Sequence, residues 1–264
     1  MIGIFDSGIG GLTVVREVLE KLPQYRIVYF GDTARAPYGS KSQKTIIEYA
    51  KENTEFLLAQ GAKIIIVACN SASSVAFESL QERFTIPIFE VILPAVDKTI
   101  RVTRKQRIGV IGTRATIGSG IYERLLKEVR PEIQVFSQAC PLLVPLVEEG
   151  WLKRAETKRI IRKYLFSLKM KQVDTLVLGC THYPLLKPII QAKMGKRVQV
   201  IDSSQEVALW VKDYLEKNPK ISESLIPIDG QKGHRFFVSD LTPNFEYIAR
   251  DFLGRPIKLE LTNS

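Results

Sequence analysis

Two of the three cysteines in this 264-residue chain stand where a thiol could do chemistry. Cys69 closes the run KIIIVAC and Cys180 closes DTLVLGC. Each follows a short apolar segment and precedes small polar residues, Asn70 and Ser71 in one case and Thr181 and His182 in the other. Apolar runs of this length read as buried strands, and the polar residues after them as the start of a helix. The free N–H groups and dipole of a helix N-terminus favour an anion by roughly 0.3–1 kcal/mol, and by up to about 2 in good geometry. At about 1.4 kcal/mol per pKa unit, a thiol that starts near about 8.5 falls by about one unit, and a minority of thiolate is expected at neutral pH. Cys140 lies inside ACPLLVPL and reads as a packed core residue. Three cysteines without disulfide spacing point to reduced thiols in the cytoplasm.

Spacing separates the chemistries that use thiols. A metal centre wants clustered Cys and His, and Cys180 with His182 is the one close pair. A dithiol redox centre wants Cys-x-x-Cys, whereas these cysteines are 111 positions apart. A nucleophilic Cys180 activated by His182 leaves Cys69 without a role. Proton transfer employs both. Inverting a carbon stereocentre needs a base on one face and a separate acid on the other, so one group starts each turnover as thiolate and the other as thiol. That chemistry requires no metal and no cofactor acting as an electron sink.

Such groups must be carried on opposed surfaces, and the strand pattern provides them. IGIF (2–5), RIVYF (26–30), KIIIVA (63–68) and IPIFEVI (86–92) read as strands, with helices over 11–22 and 43–61 between them. The pattern then restarts with RIGVIG (107–112), IQVF (133–136), DTLVLG (174–179) and RVQVI (197–201), separated by helices near 117–129, 155–168 and 184–194. Strands alternating with helices argue for parallel sheets covered on both faces. The restart reads as an internal duplication. Gly3 to Cys69 spans 66 positions and Gly109 to Cys180 spans 71, so each half sets a cysteine just past its third strand. Ligands of open parallel sheets sit at that end of the strands. The tail from about 218 has no counterpart and reads as one further strand-helix-strand.

Composition agrees with a globular protein: 45% hydrophobic and 25% charged residues, with no apolar run near the roughly 18 residues of a membrane span. The chain enters its first strand at once, so neither a signal peptide nor an N-terminal extension holding a regulatory site is expected. The formal charge of +10 is distributed over RKQR (104–107), KRAETKRIIRK (153–163) and KMK (169–171). Without a recognisable nucleic-acid motif these runs read as solvated basic faces, and neither nucleic acid nor membrane is expected as a partner.

FDSGIGGLTV (5–14), GDTARAPYG (31–39), ACNSAS (68–73), VIGT (110–113), ACPLLVPLVEEG (139–150), GCTHYPLL (179–186), IDSS (201–204) and FFVSDLTPNF in the tail together resemble the glutamate racemases, which are PLP-independent amino-acid racemases. The resemblance implies two flavodoxin-like parallel-sheet α/β domains related by pseudo-symmetry, residues 1–97 with 206–264 and residues 98–205, with the active site between them. It also implies a cytoplasmic homodimer that interconverts L- and D-glutamate without cofactor and supplies D-glutamate for peptidoglycan. Cys69 would deprotonate the D-enantiomer and Cys180 the L-enantiomer. Asp6 and Ser7 would meet the substrate amino group, Tyr38 and Gly39 form a substrate loop, and Asn70, Ser71 and Thr181 serve the carboxylates. His182 would assist Cys180, with Asp32 and Glu148 at supporting acidic positions, against the competing reading of ordinary exposed loop carboxylates. Helix capping for the small polar residues, a plain turn for Tyr38 and Gly39 and a structural histidine are the competing readings. An aspartate-specific racemase and an amino-acid sensor with inert cysteines are the competing functions. Two departures stand out. Ser71 replaces the usual threonine, and Leu93 replaces the glutamate of VIEP, a change expected to affect packing or an interface.

Overall fold

The structure is a computed structural model that describes residues 1–225, 233–242 and 245–262. Strands β1 (Ile2–Asp6), β2 (Ile27–Gly31), β3 (Ile64–Val67) and β4 (Ile88–Glu90) alternate with helices α1 (Leu12–Lys21), α2 (Gln43–Ala59), α3 (Asn70–Arg83) and α4 (Ile92–Val102). The second set follows as β5 (Arg107–Gly112), β6 (Gln134–Ala139), β7 (Thr175–Gly179) and β8 (Gln199–Asp202). Its helices are α5 (Arg114–Gly118), α6 (Ile121–Val129), α7 (Leu143–Glu148), α8 (Ala155–Met170) and α9 (Lys187–Met194). The chain then runs through α10 (Ser203–Lys217), α11 (Pro219–Ser224), β9 (Arg235–Val238), α12 (Phe245–Leu253) and β10 (Glu260–Leu261).

All pairings are parallel. One sheet has the order β10-β9-β2-β1-β3-β4 and the other β6-β5-β7-β8. The order β2-β1-β3-β4 is therefore repeated strand for strand by β6-β5-β7-β8, the spatial form of the sequence duplication. Register repeats as well: Phe5 stands beside Val67 as Ile111 stands beside Leu178, so Cys69 and Cys180 leave equivalent points of their sheets. The tail extends the first sheet alone, beyond β2.

Alternate residues of the first sheet feed opposite faces. Ile2, Ile4, Ile64 and Ile66 belong to an apolar core continuous with that of the second sheet, while Phe5, Val28, Phe30, Ile65 and Val67 pack under α2 and α3. Strands buried on both faces explain why these runs are apolar throughout rather than alternating.

Three local expectations shift. The fourth strand stops at Glu90 rather than 92, because the Glu90 carboxylate turns back to accept the N–H groups of Ile92 (2.5 Å) and Leu93 (2.6 Å) and caps α4. The helix near 117–129 is interrupted at Gly120, whose φ of +67° is the left-handed conformation glycine adopts without strain. The basic runs at 153–163 and 169–171 join on α8 and its flanks. Between Trp151 and Gln172 eight Lys or Arg oppose one Glu, so this element carries +7 of the net +10. Among the described residues, none of these eight cations has a carboxylate within ion-pair distance. No helix among them is long and apolar enough to cross a membrane.

Candidate active site

The carboxyl ends of both sheets open on one narrow cavity of about 30 Å³. Ten of the residues singled out in the sequence line it: Ser7, Tyr38, Gly39, Cys69, Asn70, Ser71, Glu148, Cys180, Thr181 and His182. Both thiols are free and buried. Cys69 occupies the N-cap of α3 and its Sγ lies 3.5 Å from Ser7 Oγ. Cys180 precedes a short 3₁₀ turn over Tyr183–Leu186, so α9 begins only at Lys187 and its dipole does not reach the thiol. Prolines at 184 and 188 favour this tight entry. The expectation of a helix N-terminus directly behind each thiol thus holds for Cys69 alone.

At Cys69 the helix N-terminus does not lower the thiol. Burial and the Asp6 carboxylate push it up to about 12, against the weaker pull of the Ser7 hydroxyl and the Ala72 N–H. The reason is magnitude: a dipole worth roughly 1 kcal/mol is outweighed by desolvation of a buried thiolate, which reaches several pKa units. On the other side, His182 Nδ1 lies 3.8 Å from Cys180 Sγ and its Nε2 3.0 Å from Glu148 Oε1. Burial opposes its charge, yet the contacts with Cys180 and Glu148 push His182 up to about 10. The Phe252 ring packs edge-on against the imidazole at 5.4 Å, so the C-terminal tail also shapes the site. One thiol therefore faces a carboxylate and the other an imidazolium.

The remaining predicted positions divide between cavity wall and support. Asp6 and Asp32 do not line the cavity. Asp6 is fully buried behind it, accepting from Gly8 N (3.1 Å) and Thr181 Oγ1 (3.4 Å), and burial holds its carboxyl above the usual range. Asp32 is no exposed loop carboxylate either. It is fully buried, accepts from Arg35 Nε (2.7 Å), Ser239 Oγ (3.0 Å) and the Tyr38 hydroxyl, and fixes the Tyr38 loop. Ser239 belongs to FFVSDLTPNF; Pro243 and Asn244 of that motif lie outside the described residues. Tyr38 also accepts from Asn53 Nδ2 at 3.0 Å. Ser71 Oγ sits 2.9 Å from Thr113 Oγ1, and the Asn70 amide is held between Tyr122 and Ser203. Glu148, the more exposed of the two acids, supports His182 from the cavity rim.

Sequence reasoning left out Thr113, Val144 and the Ala36-Pro37 segment, all of which line the cavity. Thr113 was findable. Laying IGIFDS over IGVIGT puts it opposite Ser7, and the duplication implied two such hydroxyls. The same overlay gives Asp6 the partner Gly112, so the carboxylate is present on one side only. Among the described residues, no three His, Cys, Asp or Glu side chains are grouped to hold a metal ion. The arrangement can bind a small dianion through hydroxyl, amide and backbone donors, with one thiol near an acid and one near a cation.

Similarity to known proteins agrees with this geometry. The chain is 47% identical to a glutamate racemase of Geobacter metallireducens over 96% of its own length and 92% of the relative's. Its fold matches a crystal structure of a glutamate racemase isoform of Bacillus anthracis with a TM-score of 0.92 at 38% identity, covering 99% of this chain and 97% of that one. The glutamate racemase of Francisella tularensis, solved in complex with D-glutamate, matches with a TM-score of 0.90 at 37% identity, covering 99% and 96%. With the Asp/Glu/hydantoin racemase family matched over residues 9–210, the chain belongs to that family.

Proposed function

We propose that this chain is an isomerase interconverting L- and D-glutamate by proton transfer between two thiols, without a cofactor, and that it supplies D-glutamate for peptidoglycan. The observation that carries the reading is the pair of free, buried cysteines at equivalent strand ends of two repeated sheets, opening on one cavity. Cys69 is held as the thiol by burial and Asp6. Cys180 has at hand, in the His182 imidazolium, the counter-ion for a thiolate. With L-glutamate, Cys180 takes the Cα proton as its electron pair stays on carbon, and Cys69 delivers its own proton to the opposite face. The thiolate is then on Cys69, which is the state required to run the reaction from D-glutamate. Hydroxyl and amide donors of Ser7, Asn70, Ser71, Thr113 and Thr181 bind the carboxylates, and Tyr38 with Gly39 close one end. Asp6 acts from behind the cavity wall, where it holds Gly8 and Thr181, and Glu148 keeps His182 charged.

The same reading divides the chain into two domains, residues 1–97 with 206–264 and residues 98–205. A cytoplasmic homodimer is part of the same reading, checked by light scattering of the purified protein. The decisive experiment is incubation of L-glutamate in heavy water without added cofactor, following optical rotation and α-deuteration. Both should change together, survive chelator and hydroxylamine, and be far slower with either enantiomer of aspartate. Aspartate turning over as well as glutamate, or no deuterium at Cα, overturns the proposal.

A further inference from the structure

We infer that Tyr122 is a positioning residue of this site, holding the Asn70 amide so that its N–H faces the cavity as a donor to a substrate carboxylate. The inference rests on the glutamate reading above. Tyr122 belongs to α6 in the second half, is 2% exposed and does not line the cavity. Its ring lies against the strand end that leads to Cys180: a Cβ built on Gly179 would stand 3.3 Å from Tyr122 Cε2. Its hydroxyl crosses to the first half and donates to Asn70 Oδ1 at 2.8 Å. Asn70 is the first residue of α3, directly after Cys69.

Hydrogen-bond accounting fixes which way this amide points. Ser203 Oγ donates to Leu178 O at 3.2 Å, so its oxygen is left to accept, and Asn70 Nδ2 lies 3.4 Å from it. Burial keeps the Tyr122 phenol far above its usual range, and it remains a donor that needs an acceptor. Only one amide orientation satisfies all three groups. Turning it over would set a hydroxyl proton against N–H and strand a buried donor. With Oδ1 committed to Tyr122 and one N–H to Ser203, the remaining N–H of Asn70 is the group available to the cavity it lines. A donor there suits a carboxylate and disfavours an ammonium. Tyr122 thereby ties carboxylate recognition beside one thiol to the strand bearing the other.

The test is a double-mutant cycle with L- and D-glutamate, read as KM and kcat, with melting temperatures alongside. Tyr122→Phe keeps the ring packing and removes one neutral hydrogen bond, so KM should rise by about 3- to 10-fold with kcat little changed. Asn70→Ala should raise KM at least as far, and adding Tyr122→Phe to it should change KM by less than about 2-fold. A Tyr122→Phe enzyme with parental KM, whether or not its melting temperature drops, overturns the proposal. So does a double variant showing the full factor twice. If the parent itself fails to deuterate glutamate, the glutamate reading is what fails, and this inference goes with it; an active parent leaves the decision to the variants.

Discussion

Cys69 sits beside Asp6 with Ser7 as its hydrogen-bond partner, whereas Cys180 sits beside His182, itself held by Glu148. Serine at either position retains a hydroxyl far too weak as an acid to exchange protons near neutral pH. Cys69→Ser and Cys180→Ser should each lower racemisation by at least about 100-fold, whereas Cys140→Ser should leave turnover within about 3-fold. Cys140 is buried under Tyr183, whose hydroxyl donates to the Cys140 carbonyl at 2.9 Å, so its replacement costs stability rather than chemistry. Near-normal turnover of Cys69→Ser would end the two-thiol mechanism. His182 gives a pH signature. Its folded value of about 10 lies above the roughly 6.5 of an unfolded histidine, so its contribution to stability is fully present below about 6.5 and is lost as pH rises through about 10. Melting temperatures between pH 6 and 10 should therefore fall less steeply for His182→Asn than for the parent. An unchanged slope would show that the imidazole is not held as a cation.

At the scale of elements, the β1–α1 loop and the first turn of α1 in the first half reach the Cys180 turn of the second. Thr13 Oγ1 lies 3.0 Å from both Thr181 O and Ser204 Oγ, and a Cβ on Gly10 would fall 2.5 Å from the His182 ring and from Thr181 Oγ1. No real side chain tolerates that approach. Gly10→Ala should push His182 off Cys180 and lower kcat/KM by more than about 10-fold, while melting remains a single transition. A variant with parental kinetics would mean that the two loops part without consequence. The α4 connection shows a different economy. Leu93 stands where a carboxylate is usual, yet Glu90 supplies one from the end of β4 and caps the same helix. Burial pushes Glu90 up to about 7 despite the two N–H groups it accepts. Leu93 itself is exposed.

For the whole molecule, charge and catalysis occupy different surfaces. The cations of α8 project away from the core, which takes Thr157, Ile161, Leu165 and Leu168, and none of them lines the cavity. Reversing two of them, Arg162→Glu with Lys163→Glu, should weaken retention on a cation-exchange matrix and leave racemisation within about 2-fold. A loss of activity would show that this face takes part in substrate capture through long-range attraction. The bridging hydrogen bonds of Thr13, Ser71 with Thr113, and Tyr122 with Asn70 all cross between the halves at the cavity, so the site exists only where the two sheets meet.

The sequence by itself determined the two thiols, the parallel sheets and their repetition. Each of these is encoded locally, in apolar runs of strand length and in a cysteine at a similar distance from a glycine-containing first strand. It also carried the polar residues that follow the strands, because such residues must lie at the carboxyl ends where ligands bind. Only the tertiary structure decided what each thiol faces. Asp6 and Cys69 are 63 positions apart, and Glu148 and His182 are 34 apart, so no local pattern pairs them. Desolvation is likewise a property of the assembled core: it reversed the shift that the helix dipole alone would give Cys69. Tyr122 was invisible for the same reason. A tyrosine in an amphipathic helix reads as packing until its hydroxyl is seen to reach across the cleft, where the strict demand that a buried donor find an acceptor gives it a role.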